Sequence, residues 1–175
     1  MNYATFRTHD VANGPGVRVS LFVSGCTHRC PGCFNAEAWD FSYGEPYTAE
    51  LEQKILDALS PDYIKGFSLL GGEPFEPSNQ AVLADLLERI KEKYPNKTVW
   101  CYSGYSFTDH ILPCRLGNPE ITKRMIRCID VLVDGEFVEE KKDLSLRFRG
   151  SSNQRIINVP ASLEAGYVIL CEEFY

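Results

Sequence analysis

The chain has 175 residues, 44% of them hydrophobic, with 18 Lys and Arg against 24 Asp and Glu and a formal net charge of -6. That is enough apolar material for one domain with a real core, and the acidic balance speaks against a general binder of nucleic acid or membrane surfaces, which presents a basic face. Met1 to Asp10 is polar and lacks the apolar segment of a signal peptide, and no apolar run approaches a membrane span. The expected setting is the cytoplasm, where an odd total of seven cysteines reads as reduced thiols or metal ligands rather than disulfides.

In chain order, Asn13-Gly14 and Pro15-Gly16 are turn signals. They make a tight loop, or a place where backbone comes close to a ligand. Val17 to Gly25 reads as a strand ending in a glycine turn, followed at once by Cys26-Thr27-His28-Arg29-Cys30-Pro31-Gly32-Cys33. Thr48 caps a helix running to about Leu59, with Leu51, Ile55, Ala58 and Leu59 on one face, and Ser60-Pro61 stops it. Gly66 to Leu70 is a short apolar strand that ends in Gly71-Gly72-Glu73-Pro74. Carbonyl groups in such a turn can accept hydrogen bonds from an ammonium group, and Glu73 can add charge assistance. Ser78 is the expected cap of the next helix, which carries Leu83, Leu86, Leu87, Ile90 and Tyr94 as a core stripe and ends at Pro95.

Lys97 to Tyr102 is the third expected strand, turning at Ser103-Gly104-Tyr105. Asn118-Pro119 opens a helix with Ile121, Met125, Cys128 and Ile129 on one side. Asp130 to Val133 is the fourth strand, with Asp134 at its end. Residues 139–143 read as a solvated charged segment. Residues 147–155 form a polar loop, either an exposed connection or one that binds an anion or partner. Ile156 to Val159 and Tyr167 to Leu170 are the last candidate strands. No repeat or linker divides residues 1–175, so one domain is expected. Alternating strands and helices imply an α/β fold with a parallel sheet, and a chain this short suggests an open, partial barrel. Ligands in such folds bind where the C-terminal strand ends converge.

The thiols Cys26, Cys30 and Cys33 are the strongest local signal. A closed structural zinc site takes four protein ligands, and an iron–sulfur cubane has four corners to fill. Three clustered cysteines leave one corner open, which is a place for a substrate to bind. A zinc site completed by His28 or a distant cysteine is the other reading. Cys101, Cys114, Cys128 and Cys171 read as buried structural residues. His28 is expected to face solvent, and His9 and His110 carry no evident role.

The C-x3-C-x2-C loop with a later Gly-Gly-Glu-Pro resembles the radical S-adenosylmethionine (SAM) enzymes. Asn13-Gly14-Pro15-Gly16 with Arg18, the form Cys-Pro-Gly-Cys-Phe-Asn over residues 30–35, the Asp130 to Gly135 segment, and Arg149-Gly150-Ser151-Ser152-Asn153-Gln154 narrow the likeness. Together they resemble the activating proteins of anaerobic (class III) ribonucleoside-triphosphate reductase, from the N-terminus to about Val159; residues 160–175 are left unassigned. The resemblance implies that Cys26, Cys30 and Cys33 hold a [4Fe–4S] cluster whose fourth iron takes the amino and carboxylate groups of SAM. It implies that Gly71, Gly72, Glu73 and Pro74 hold the ammonium end, with Gly32, Cys33 and Phe34 in the same pocket. An electron from a flavodoxin-like donor would then release a 5′-deoxyadenosyl radical that takes hydrogen from a glycine of the large reductase subunit. Ser103, Tyr105, Asp134 and the loop from Arg149 to Asn153 are expected near the same mouth. The alternatives are an activase of another glycyl-radical enzyme, although the cysteine-rich insertions of many such proteins are absent between Cys33 and Gly71, or a non-catalytic zinc-binding interaction module.

Overall fold

Seven strands are present in the computed structural model, which describes residues 1–175: β1 (Asn2–Asp10), β2 (Val17–Val23), β3 (Glu45–Pro46), β4 (Ile64–Gly71), β5 (Thr98–Ser103), β6 (Val131–Asp134) and β7 (Arg155–Asn158). They form one sheet in the order β3-β1-β2-β4-β5-β6-β7, which is not closed. Its centre, β2-β4-β5-β6, is parallel as expected. Its flanks are not: β1 runs antiparallel to β2, β3 to β1, and β7 to β6.

The antiparallel flank at β1 adds a strand where the sequence reads only as polar. Tyr3 faces Val23 and Phe6 faces Leu21 across the ladder, with a register shift between Tyr3 and Thr5. That bulge places two core-packing residues three apart instead of two or four, so the alternation that marks a strand is hidden. The turn signals at residues 13–16 join β1 to β2 as a hairpin rather than as a lead-in to a first strand.

Helices α1 (Ala49–Ala58), α2 (Pro77–Lys93) and α3 (Pro119–Cys128) cover one face of the sheet. Thr48 caps α1 by accepting from Leu51 N at 3.2 Å, and Asn118 caps α3 by accepting from Glu120 N at 2.9 Å. For α2 the cap is Glu76, with Pro77 at the first helical position, and not Ser78. Proline's fixed φ starts that helix two residues earlier than the serine signal suggests. Val19, Leu21 and Val23 of β2, Phe67 and Leu69 of β4, Val99 and Cys101 of β5 and Leu132 of β6 point into this helix-covered core, every second residue along each strand.

The intervening residues face the other way. Trp100, Val133, Ile156 and Cys171 form a second cluster there, joined by Phe148 and Phe174. Arg18 is buried on this side. Its Nε donates to Ser68 Oγ at 2.7 Å, Nη2 to the Phe67 and Thr98 carbonyls at 2.8 Å each, and Nη1 to Thr98 Oγ1 at 3.0 Å. Burial lowers its pKa to about 10, so it stays charged at neutral pH and pins β2 to β4 and β5. Residues 167–170 do not form a strand beyond a single bridge between Ile157 and Leu170. A short helix, α4 (Val159–Ala165), leads instead into a tail whose Phe174 ring meets Trp100 edge-on at 5.3 Å, and Tyr175 Oη accepts from Ile156 N at 2.8 Å. Cys101, Cys128 and Cys171 are buried as expected; Cys114 is only half-buried, in the turn before α3. No helix is long and apolar enough to cross a membrane.

Candidate functional site

Because β2, β4, β5 and β6 are parallel, their C-terminal ends lie on one side of the sheet. A cavity of about 470 Å³ opens there, lined by Cys26, Cys30 and Cys33 after β2, Gly71 to Glu73 after β4, Ser103 and Gly104 after β5, and Gly135 after β6. The thiols and the glycine turn, separate in sequence, thus share one cavity.

The cysteine loop is held by backbone bonds at both ends. Gly25 N donates to the Ala38 carbonyl at 2.8 Å and Cys26 N to the Trp39 carbonyl at 3.2 Å, while Cys33 N closes back on Cys30 O at 3.1 Å. Cys26 is buried, and Cys30 and Cys33 are half-buried. Burial pushes the Cys26 thiol up to about 11 and raises Cys30 as well. Ligation of a cation there must displace those protons. None of Cys101, Cys114, Cys128 and Cys171 lines the cavity. The three thiols line one cavity without converging on a single point, and a closed structural zinc site would need a fourth ligand beside them. A cubane asks instead that three thiolates reach three different corners, and the donor set on this wall is three thiols without a fourth.

The turn after β4 is shaped by close backbone approach. Gly71 has φ +115, and a Cβ on Gly72 would lie 2.5 Å from the Gly25 carbonyl oxygen. Gly72 N donates to Val23 O at 2.7 Å and Glu73 N to Gly25 O at 2.8 Å, strapping the turn to the approach to Cys26. The Gly72 carbonyl accepts no backbone hydrogen bond and is free for a ligand donor. The Glu73 carboxylate is not. It is 1% exposed. Its Oε1 accepts from Phe75 N and Ser103 Oγ at 2.8 Å each, and Oε2 accepts from Gly104 N at 2.7 Å. Pro74 is buried and stays behind the cavity wall.

Other sequence-selected residues divide in the same way. Gly32 and Phe34 line the cavity, and Phe34 is 85% exposed at its rim. Ser103 lines it too, with its hydroxyl engaged by Glu73. Asp134 does not line the cavity: it is 1% exposed, and its carboxylate takes Arg155 Nε at 2.9 Å, Arg155 Nη2 at 2.5 Å and Phe107 N at 2.7 Å. It clips β6 to β7 and to the single π-helical turn Phe107–Ile111. Of the loop after residue 147, Phe148, Arg149, Gly150 and Gln154 reach the cavity, whereas Ser151, Ser152 and Asn153 do not. Tyr105 stands just outside, against His28.

His28 overturns the expectation of a solvent-facing residue. Its side chain is 9% exposed, Nδ1 lies 2.7 Å from Glu136 Oε1, and Nε2 approaches Glu73 Oε2 at 3.4 Å, a charge contact rather than an aligned hydrogen bond. Burial opposes its charged form, but the two carboxylates outweigh it and lift the pKa to about 9. Sequence reading also passed over Tyr102 and Leu144 as lining residues. Tyr102 was legible from strand parity, since it alternates with core-facing Cys101. Leu144, 92% exposed, carried no signal inside a charged run.

Residues 12–157 match the family described as a 4Fe-4S single cluster domain. Over 158 residues the chain is 42% identical to the anaerobic ribonucleoside-triphosphate reductase-activating protein of Vibrio cholerae, covering 89% of this chain and 97% of that relative. The Escherichia coli K12 protein of the same description is 42% identical over 156 residues, 88% and 96% of the two chains. The one from Enterobacteria phage T4 is 36% identical over 156 residues, 89% and 93% of the two chains.

Proposed function

The chain belongs to the anaerobic ribonucleoside-triphosphate reductase-activating proteins, with a 4Fe-4S single cluster domain, and on that premise we propose that it generates a glycyl radical on that reductase with the help of SAM. The observation that carries the reading is the shared cavity: Cys26, Cys30 and Cys33 line it together with the Gly71–Glu73 turn, and no fourth cysteine enters. The three thiolates would hold the cluster and leave one iron for the amino and carboxylate groups of SAM. When bound, the cluster supplies the electron for the reductive cleavage of SAM that lets a hydrogen atom be taken from the partner's glycine.

The chain's own residues supply placement and shelter. The free Gly72 carbonyl is positioned to accept from the ammonium group of SAM, with Gly71 keeping the backbone close. Gly32 and Phe34 border the thiols, and Ser103 holds the turn by its bond to Glu73. Asp134 supports this wall from behind through Arg155. The unclosed sheet is read as an open partial barrel of the radical SAM type, whose open side would receive a segment of the protein partner. Phe34 and Leu144 sit at the cavity rim. A flavodoxin-like protein is the proposed electron donor, and the cytoplasm the proposed location.

The test is anaerobic reconstitution with iron and sulfide, followed by SAM and a reductant. Release of 5′-deoxyadenosine, and a glycyl radical signal once the large reductase subunit is added, are the expected results. A colourless protein holding one zinc ion and inert towards SAM would sink the proposal.

A further inference from the structure

The residues between the first two thiols, Thr27, His28 and Arg29, are held from three strand ends. Glu76, at the start of α2, accepts from Thr27 N at 2.7 Å and from Thr27 Oγ1 at 2.6 Å. Glu73, after β4, and Glu136, after β6, stand at 3.4 and 2.7 Å from the two ring nitrogens of His28. The ring meets Tyr105 edge-on with centroids 4.3 Å apart. Gly104 lies flush against its other side, where a Cβ would fall 2.7 Å from His28 Cδ2. Directly after this clamp Arg29 has φ 50, a left-handed conformation that a long side chain adopts only when its surroundings impose it. The chain bends at Thr27, inside the same span.

We infer that His28 is a positioning residue: clamped between Glu73 and Glu136, it holds the span from Cys26 to Cys30, with Arg29 in its left-handed conformation, and so fixes the second thiol relative to the first and to the Gly71–Glu73 turn. This assigns the Glu73 carboxylate an inward task in place of ligand contact. The consequence for SAM rests on the function proposed above; the consequence for the loop does not.

The test compares parent, His28→Ala and His28→Gln as reconstituted full chains, by amide hydrogen exchange, by the electron paramagnetic resonance of the reduced cluster with and without SAM, and by KM and kcat for SAM cleavage. His28→Ala is expected to raise exchange over residues 27–34 about tenfold or more while the strands stay protected. It should also change the SAM-dependent spectrum and raise KM more than it lowers kcat. His28→Gln, whose amide can still donate to Glu136, should fall between the two. Loop exchange and spectra equal to the parent's would overturn the inference. So would exchange raised uniformly across the sheet with glutamine no better than alanine, the mark of a purely structural residue. If the parent itself fails to cleave SAM, the proposed function falls while the exchange comparison still decides the role of His28.

Discussion

Asp134→Asn separates a residue that holds the fold from one that touches the ligand. Asp134 Oδ2 serves both Arg155 Nη2 and Phe107 N, and Oδ1 serves Arg155 Nε. An asparagine keeps the size but turns one oxygen into an NH2 group. With its oxygen at the Oδ2 position, the amide nitrogen confronts Arg155 Nε; flipped, it confronts two donors. At least one charge-assisted bond is lost, worth about 1.5–3 kcal/mol, and removing a partner from a buried pair costs about 3–5 kcal/mol. Arg155 is 36% exposed on its side chain and can turn towards water, which lowers the second figure, so about 2–3 kcal/mol is the expected loss. For a chain of this size that is a drop in Tm of about 4–12 °C. Thermal unfolding followed by circular dichroism measures it, and the KM for SAM should stay within about twofold of the parent's, less than 0.5 kcal/mol. An unchanged Tm with a raised KM would refute the reasoning and return Asp134 to the ligand site.

Three further outcomes follow from individual placements. Cys33→Ala should abolish retention of iron and sulfide, whereas Cys101→Ala, buried beneath β5 and away from the cavity, should retain both at a stability cost of about 1 kcal/mol; equal iron loss in the two would contradict the assignment of the thiols. Tyr102→Phe removes a buried hydroxyl that has no hydrogen-bond partner, so stability in urea should stay level or rise by about 1 kcal/mol; a fall of that size would show a partner hidden from the geometry. Gly104→Ala places a methyl group 2.7 Å from the His28 ring and should reproduce the loop exchange of His28→Ala with the histidine still present; exchange like the parent's would mean that the ring is not held against that wall.

What the sequence made legible was local. The C-x3-C-x2-C spacing, the glycine turn at residues 71–72 and the caps Thr48 and Asn118 each depend on neighbours within a few positions, and each stands where the sequence put it. The misses depend on distant partners. His28 looks like a solvated loop residue until Glu136, 108 residues on, is brought to its ring. Asp134 looks like a site acid at a strand end until Arg155, on an antiparallel edge strand that reverses the expected direction, takes its carboxylate. Strand β1 was hidden by its own bulge, and the cap position of α2 fell to Glu76 before Pro77, whose carboxylate serves Thr27 and not the helix.

The turn after β4 likewise takes its meaning from distant partners. Its two acids, Glu73 and Glu76, both point inward to the span between Cys26 and Cys30, which leaves backbone, chiefly the Gly72 carbonyl, to meet a ligand. A turn that offered its carboxylates to the ligand would have to release the cysteine loop whenever that ligand came or went. With Glu76 hydrogen-bonded to Thr27 and Glu73 fixed beside His28 by its own bonds to Phe75, Ser103 and Gly104, thiols and turn are registered before a ligand arrives, the preorganisation that positioning by a rigid scaffold requires. The glycines answer for approach and the acids for registration. In a Glu73→Gln chain the amide nitrogen faces either Phe75 N and Ser103 Oγ or Gly104 N and His28, so the turn loses a backbone bond in either orientation and the cysteine loop is disturbed directly in the second.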